Sequence, residues 1–240
     1  MNGKRSVVEH LEELRRRVLT VGVTLVILSI VFYPLSDEVV RAVEERLLGA
    51  YRENVIVLSP FEAVTVQVKV SILMAAVIAS PLIAHQAVSF LFPALRRREK
   101  RAFLLVVGSS TILFAAGCLF AYYILMPVSY RVLLALTEPV AKPLIDLQTL
   151  IDISLTLAVL TGAAFQWPLV AATLAHFGIV SASTLAEKRR YAILAIFTIA
   201  AVVTADTTVV TQIILGVPMV VLYEAGIVAA KITGKKQSSG

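Results

Sequence analysis

The N-terminal segment carries carboxylates and guanidinium groups at spacings that suit the binding of a cation. Glu9, Glu12 and Glu13 precede an arginine run, residues 15–17, which leads directly into the first apolar stretch. On a helix, Glu13 and Arg17 stand four residues apart and can form an ion pair. Arginines anchor the end of a membrane span, whereas three acids beside anionic lipid need another reason. Two interpretations stay open: plain helix pairing, or a site for a cationic partner.

A second carboxylate, Glu99, stands inside a strongly basic loop, residues 96–101. One acid among arginines and lysines in a solvated loop usually only neutralises charge. Its position is of interest because we expect this loop on the same side of the membrane as Glu13, so the two acids could form one site. We include the charged neighbours Glu12, Arg15 and Arg101 in that candidate site.

Polar side chains also interrupt the apolar stretches, where their burial in lipid is costly. Gln166 stands in mid-span and must hydrogen-bond another span or a trapped water, which favours a structural role. Glu224 is a functional candidate by default, but Lys231 follows closely, so a position at the membrane interface is equally consistent. His85 follows Pro81 by one turn, and we expect it to bond a carbonyl that the proline frees.

Motifs for catalysis and for cofactors are missing from the sequence. It contains no Gly-x-Ser-x-Gly, no Walker loop and no histidine-glutamate zinc motif. No two histidines have ligand spacing and Cys118 is the only cysteine, so we predict neither a metal site nor a cofactor. The net charge of +6 suits a membrane protein with basic loops, and no nucleic-acid motif is present. The sequence therefore predicts neither an enzyme nor a nucleic-acid-binding protein.

Long uncharged stretches must position these residues. The chain is 58% hydrophobic and only 16% charged, its mean hydropathy is +0.87, and the charges cluster between the stretches. We predict an all-α, polytopic membrane protein with one transmembrane domain, residues 1–240, and a flexible tail, residues 231–240. Six spans are expected at approximately 18–35, 70–92, 102–126, 153–177, 191–204 and 209–230. The fifth is short enough to favour a locally thinned bilayer.

Prolines and charges refine this arrangement. Kinks are expected inside the second, fourth and sixth spans, at Pro81, Pro168 and Pro218. A polar loop that begins at Pro127, contains Pro139 and runs to about Asp152 is expected after the third span. Sixteen of the 22 lysines and arginines lie at the termini and in the second and fourth loops. The positive-inside rule then predicts that both termini are cytoplasmic. Apolar residues at helical spacing within 37–58 predict an amphipathic helix in the first outside loop.

Short motifs along almost the whole chain resemble, in their order, those of one known family. The first is His10-Leu11-Glu12-Glu13-Leu14-Arg15. The later ones are Ser59-Pro60-Phe61-Glu62, Lys69, Ser80-Pro81, Gln86, Phe90, Pro93-Ala94-Leu95, Glu99, Gly117, Phe120, Tyr122, Gly162, Phe165, Pro168, Arg189-Arg190-Tyr191, Gln212, Pro218 and Leu222-Tyr223-Glu224. Each motif alone is weak, but the series is similar to the TatC family, the multispanning subunit of the twin-arginine protein translocase.

The resemblance implies a receptor in the cytoplasmic membrane for folded cargo that carries twin-arginine signal peptides. It implies that Glu13 and Glu99 contact the two arginines, as charge-assisted bonds to a guanidinium fork would allow. It also implies oligomeric assembly with small single-span subunits of the TatA and TatB type, and proton-motive force as the energy source. Gln166, Glu224, Gln212 and His85 are the intramembrane polar residues expected to contact spans or partner helices.

The chain departs from the family pattern at three places. Gln166 stands where many relatives have glutamate, Asp206 fits the family's acidic motif before the last span only loosely, and Arg96 replaces a common aromatic residue. From the residues alone, an ion-coupled secondary transporter of a small molecule is the alternative function. It would use Glu224, Gln166 and His85 as a site at the middle of the membrane.

Overall fold

Helices make up nearly all of the molecule. The computed structural model describes residues 2–91, 100–176, 178–204 and 209–234. Its helices are α1 (Asn2–Phe32), α2 (Ser36–Leu48), α3 (Pro60–Leu91), α4 (Lys100–Phe120), α5 (Met126–Thr137), α6 (Leu147–Ala164), α7 (Trp167–His176), α8 (Ala182–Glu187), α9 (Arg189–Thr204) and α10 (Val209–Gly234). Two-residue strands, β1 (Val55–Ile56) and β2 (Ile145–Asp146), pair in parallel. The prediction of an all-α membrane protein with several spans is therefore confirmed in outline.

Five helical stretches of the described chain are long and apolar enough to cross a membrane. They are Leu11–Leu48, Pro60–Ala87, Leu104–Thr137, Leu147–His176 and Gln212–Thr233. The predicted fifth span corresponds to α9, which has 16 residues. At 1.5 Å per residue that helix is about 24 Å long, less than the roughly 30 Å of a hydrocarbon core. The predicted flexible tail lies mostly outside the described residues, because α10 ends at Gly234.

The predicted amphipathic helix is α2. Its buried face is formed by Val40, Val43, Leu47 and Leu48, at the helical spacing seen in the sequence. Gly49 ends the helix with a φ of +50°, a conformation that side chains other than glycine adopt with strain. The apolar face of α2 joins a core formed by α3, the α4–α5 junction and α6, so this helix packs against the bundle.

The helix continues past residue 126, whereas the sequence predicts a loop that begins at Pro127. A π-helical turn, Ala121–Leu125, comes immediately before α5 and places Pro127 in its first turn, where no N–H is required. Pro127 cannot donate to the carbonyl of Tyr123. Arg46 of α2 donates instead, from Nη2 to the Tyr123 carbonyl at 3.4 Å and from Nε to the Tyr122 carbonyl at 3.3 Å. Arg46, 77 residues before Tyr123 in the chain, therefore supplies the donor that this carbonyl lacks.

Replacing Arg46 with methionine is expected to lower the free energy of unfolding by about 1–2 kcal/mol, because two carbonyls lose a charged donor. The guanidinium also lies 4.4 Å and 5.2 Å from the ring centroids of Tyr123 and Tyr122, which adds cation–π attraction. Thermal unfolding of the detergent-solubilised variants would measure the loss. Arg41→Met removes the same charge from an exposed position on the same helix and is the control. Equal midpoints for the two variants would contradict the proposed bridge.

Two prolines lie inside helices without ending them. Pro81 is in α3 and Pro218 is in α10, whereas Pro168 follows a break between α6 and α7 at residues 165–166. Pro81 leaves the Val77 carbonyl without its helical donor. The Ser80 hydroxyl donates to that carbonyl at 2.7 Å, so the freed carbonyl has a donor within its own helix. The Ser80 hydroxyl reaches the Val77 carbonyl without any change in the helix, because the two residues lie in the same helical turn. That His85 also bonds a carbonyl freed by the proline stays a prediction.

Helices α4 and α6 meet backbone to backbone. A Cβ atom built on Gly117 would lie 2.7 Å from the Cα of Gly162 and 2.8 Å from the carbonyl oxygen of Thr161. A Cβ on Gly162 would lie 2.8 Å from the ring of Phe114. Small residues that allow such approach are the usual means by which helices pack in a membrane, where lipid supplies no hydrophobic force between them.

A loop cap, residues 49–62 and 138–149, closes the end of the bundle opposite the N-terminus. The pairing of β1 with β2 aligns Val55 with Ile145 and Ile56 with Asp146. Glu62, only 4% exposed, accepts from the backbone N–H of Leu58 at 2.7 Å and of Gln148 at 2.9 Å. Its carboxylate therefore joins the two loops.

Two further contacts stabilise this end of the molecule. Hydrogen bonds from the side chain and backbone N–H of Thr149 hold the pKa of Asp146 below its usual value. Just below the cap, Nζ of Lys69 contacts both carboxylate oxygens of Asp152 at 2.6 and 2.8 Å, which links α3 to α6.

Candidate functional site

The predicted N-terminal acid site is built on α1 where that helix packs against α3. Arg17 donates to Oε1 of Glu13 from Nε at 3.1 Å and from Nη2 at 2.5 Å, so the ion pair expected from their spacing is confirmed. Its Nη1 donates to the side-chain oxygen of Gln86 at 2.9 Å and to the Gln86 carbonyl at 3.4 Å. The side chain of Glu13 is 49% exposed and that of Arg17 is 15% exposed. A half-exposed carboxylate is thus held by a largely buried guanidinium.

The other members of the predicted site are placed as follows. Glu12 and Arg15 are exposed on the same turn of α1 as Glu13. Glu99 lies outside the described residues. Arg101 is in the first turn of α4, and its side chain lies outside the described part too. The described part of α3 ends at Leu91 and that of α4 begins at Lys100, the residue that follows Glu99 in the sequence.

A mainly apolar groove adjoins the charged cluster. It has a volume of about 340 Å³ and runs between α1 and α3. Arg17 and Gln86 form its polar edge, and apolar side chains complete it: Leu14, Val18, Val21, Ile83, Ala87 and Phe90. A ligand with a cationic end and an apolar continuation would match this arrangement, because each part meets a surface of its own polarity.

Gln86 is a site residue whose role the sequence reasoning missed. It appeared only as a motif match, because a lone glutamine near the end of a span carries no spacing signal. In the structure it fixes Arg17 from two directions, with its side-chain oxygen and its backbone carbonyl. The signal that could have found it is its polarity on the helix face that otherwise packs against α1.

Gln166 lies in a second groove, of about 550 Å³, between α3, α4 and α7. Its Oε1 accepts from the Ser110 hydroxyl at 3.0 Å, and its Nε2 donates to the Ser110 carbonyl at 2.9 Å. The prediction that Gln166 bonds another span is confirmed, and the partner is a single residue of α4. Both ends of the amide are satisfied inside the chain, which an ionised glutamate at this position could not achieve.

A double-mutant cycle on Gln166 and Ser110 is expected to give a coupling energy of about 1 kcal/mol, the size typical of hydrogen bonds between spans. Gln166→Leu and Ser110→Ala would be measured singly and together by reversible unfolding in mixed micelles. The sum of the two single losses in stability should exceed the loss measured for the double variant. Strict additivity would show that the pair contributes nothing, whatever its geometry.

Glu224 is not at the middle of a bundle of polar residues. It forms a two-pronged ion pair with Arg189, the first residue of α9, with Nε to Oε1 at 2.5 Å and Nη2 to Oε2 at 2.8 Å. The two side chains are 41% and 49% exposed. The neighbouring Tyr223 donates to the Leu185 carbonyl at 2.7 Å and stacks on Trp167. These contacts favour the interfacial interpretation, in which Glu224 fastens the α8–α9 corner to α10.

The remaining intramembrane candidates do not assemble into a transport site. Gln212 is half-buried in the first turns of α10. Among the described residues that line the Gln166 groove, neither His85 nor Glu224 occurs. The polar centre that the secondary-transporter alternative requires is therefore not brought together.

Comparison with known proteins agrees with this architecture. Residues 9–218 match the family model described as Sec-independent protein translocase protein (TatC). The chain is 35% identical over 232 residues to the TatC protein of Aquifex aeolicus (strain VF5), covering 95% of this chain and 96% of the relative. It is 31% identical to that of Carboxydothermus hydrogenoformans, covering 97% and 95%.

A solved structure gives the same result. The crystal structure of a protein described as the twin arginine translocase receptor TatC superposes with a TM-score of 0.83 at 34% identity, over 93% of this chain and 99% of that one. The relatives are named as components of a protein translocase, a transport role rather than a catalytic one. The chain is a multi-pass membrane protein, and it belongs to the TatC family of Sec-independent protein translocase components.

Proposed function

We propose that this chain is the receptor subunit of a twin-arginine translocase and that Glu13, with Glu99, binds the arginine pair of cargo signal peptides. The observation that carries the proposal is the half-exposed Glu13 carboxylate, which already binds a guanidinium, that of Arg17, at the edge of an apolar groove. Carboxylates bind guanidinium through two parallel hydrogen bonds, a geometry that the ammonium group of lysine lacks. Glu12, Arg15 and Arg101 shape the charge around the two acids.

Binding of a signal peptide to the purified, detergent-solubilised protein tests the proposal. A twin-arginine peptide and a twin-lysine peptide of otherwise identical sequence would be titrated side by side. We expect the arginine peptide to bind at least about tenfold more tightly, because each lost fork removes part of a charge-assisted bond. Equal binding of the two peptides would overturn the receptor assignment.

The proposed topology has six spans with both termini in the cytoplasm. The excess of lysine and arginine at the termini and in the second and fourth loops supports it. Cys118 is the only cysteine, so a Cys118→Ser background allows single reporters. Ser6→Cys should react with an impermeant thiol reagent only from the cytoplasmic side and Val140→Cys, which is 85% exposed, only from the outside. The reverse pattern would invert the topology.

We further propose that small single-span subunits assemble with this chain and that proton-motive force supplies the energy for export. The groove around Gln166 is apolar apart from Gln166 and a few hydroxyls, which suits an added transmembrane helix from a small single-span subunit. Proton-motive force would then drive export of the folded cargo through the assembled complex. Cross-linking from Val170→Cys to a single-span subunit, lost when that subunit is deleted, would test the helix contact.

The secondary-transporter alternative finds no support in the geometry. Glu224 is neutralised by Arg189, and Gln166 is satisfied by Ser110. Neither residue is left poised for an ion or a small substrate. Uptake of a small molecule by the purified protein alone in vesicles would be the result that revives this alternative.

A further inference from the structure

Arg17 already occupies the carboxylate that the proposed ligand must reach. Two of its nitrogens, Nε and Nη2, donate to the same oxygen of Glu13. They present the kind of guanidinium fork that an arginine of the peptide would bring. An incoming guanidinium has the same chemistry as the resident one and would use the same carboxylate.

The resident guanidinium is held in place at its other end. Its Nη1 donates twice to Gln86 of α3, and its side chain is only 15% exposed where α1 packs on α3. A side chain fixed in this way loses little additional conformational freedom when it binds the carboxylate. Its pairing with Glu13 therefore has a smaller entropic cost than that of an ordinary exposed pair four residues apart on a helix.

We propose that Arg17 is a built-in competitor that sets the affinity threshold of the site, an inference that rests on the receptor function proposed above. The incoming guanidinium must displace or share the Glu13–Arg17 pair, so part of its binding energy is offset. The threshold lowers the affinity of every ligand by the same factor. A ligand with two guanidinium groups still binds above it, whereas a ligand with two ammonium groups does not. It also keeps binding weak enough for the peptide to be released.

The two possible roles of Arg17, as a competitor or as a positioning residue, predict opposite changes in peptide affinity for the same variant. If Arg17 competes, Arg17→Met tightens binding of the twin-arginine and twin-lysine peptides by a common factor of about three to ten. If Arg17 instead orients Glu13 for the ligand, the same variant weakens binding. Methionine preserves the apolar stem against the α1–α3 groove, so the packing there is retained.

Arg16→Met is the matched control, because Arg16 is exposed one residue away and carries an equal charge. Removing that charge should strengthen binding of both peptides by no more than about twofold, through general electrostatics. Gln86→Met leaves Arg17 present but releases its anchor. This variant should tighten binding in the same direction as Arg17→Met, by a smaller factor.

The experiment is a titration of both peptides against the four full-length proteins in detergent, with cargo export measured in membrane vesicles in parallel. Tighter binding by Arg17→Met than by Arg16→Met, with export of twin-lysine cargo gained, supports the competitor. Weaker binding by Arg17→Met, or equal shifts for both variants, overturns it while the receptor function stands. Failure of the unmodified chain to prefer the arginine peptide overturns the receptor function and the competitor with it.

Discussion

Glu13→Gln is expected to weaken binding of a twin-arginine peptide by about 10- to 150-fold, the range that corresponds to loss of a charged hydrogen-bonding partner. Glutamine keeps the shape of the side chain and one acceptor oxygen but removes the charge that attracts a guanidinium. The variant also leaves Arg17 without the carboxylate that accepts two of its N–H groups, so a cation then faces the ligand. Peptide titration in detergent and cargo export in vesicles would both register the loss.

Glu187→Gln is the matched control for that result. Glu187 is an exposed acid at the end of α8, in the loop that we place on the same side of the membrane as Glu13. Its removal changes the net charge by the same amount, so binding should stay within about twofold of the unmodified protein. Glu99→Gln should weaken binding to a similar extent as Glu13→Gln if the two acids share the arginine pair. Equal binding by all the variants would show that these acids serve only topology.

Gly117→Ala should cost about 2–3 kcal/mol of folding free energy, because the added methyl group would meet backbone rather than side-chain atoms. The added Cβ would meet the Gly162 backbone at 2.7 Å and the Thr161 carbonyl at 2.8 Å, and neither can rotate away as a side chain would. Helices α4 and α6 would have to separate, which would also disturb the Gln166 groove. The thermal midpoint and the yield of monodisperse protein in detergent would measure the cost.

Gly108→Ala provides the comparison on the same helix. A Cβ at Gly108 has open space around it, with nothing within 4 Å. Alanine there should be neutral or stabilising by up to about 1 kcal/mol, because glycine loses more backbone freedom on folding. A loss at Gly108 equal to that at Gly117 would indicate that the helices respond to glycine itself rather than to the α4–α6 contact.

The features that the sequence predicts correctly are those written in local spacing or in polarity. The helical period of α2, the four-residue step from Glu13 to Arg17, and the need of Gln166 for a partner on another span are all of this kind. Each follows from helix geometry or from the cost of an unsatisfied polar group in lipid. The resemblance to the TatC family was carried by the order of many weak motifs, and the family is confirmed.

What could not be predicted depends on residues far apart in the chain. The chain after Pro127 is helical, and Arg46, 77 residues before Tyr123, supplies the donor that the proline cannot. The sequence around Glu224 is equally consistent with a functional and an interfacial position, and the ion pair with Arg189, 35 residues earlier, favours the interfacial one.

The loop cap imposes an order on the synthesis of this protein. Glu62 leaves the ribosome 86 residues before Gln148, whose N–H completes its set of partners. At about 5–20 residues per second, roughly 4–17 seconds separate the two events. During that interval β1 has no partner strand and the carboxylate must stay hydrated, although it is finally buried. The cap therefore cannot mature before the third loop has been synthesised, and resistance of the first loop to protease should appear only after α6 has been inserted.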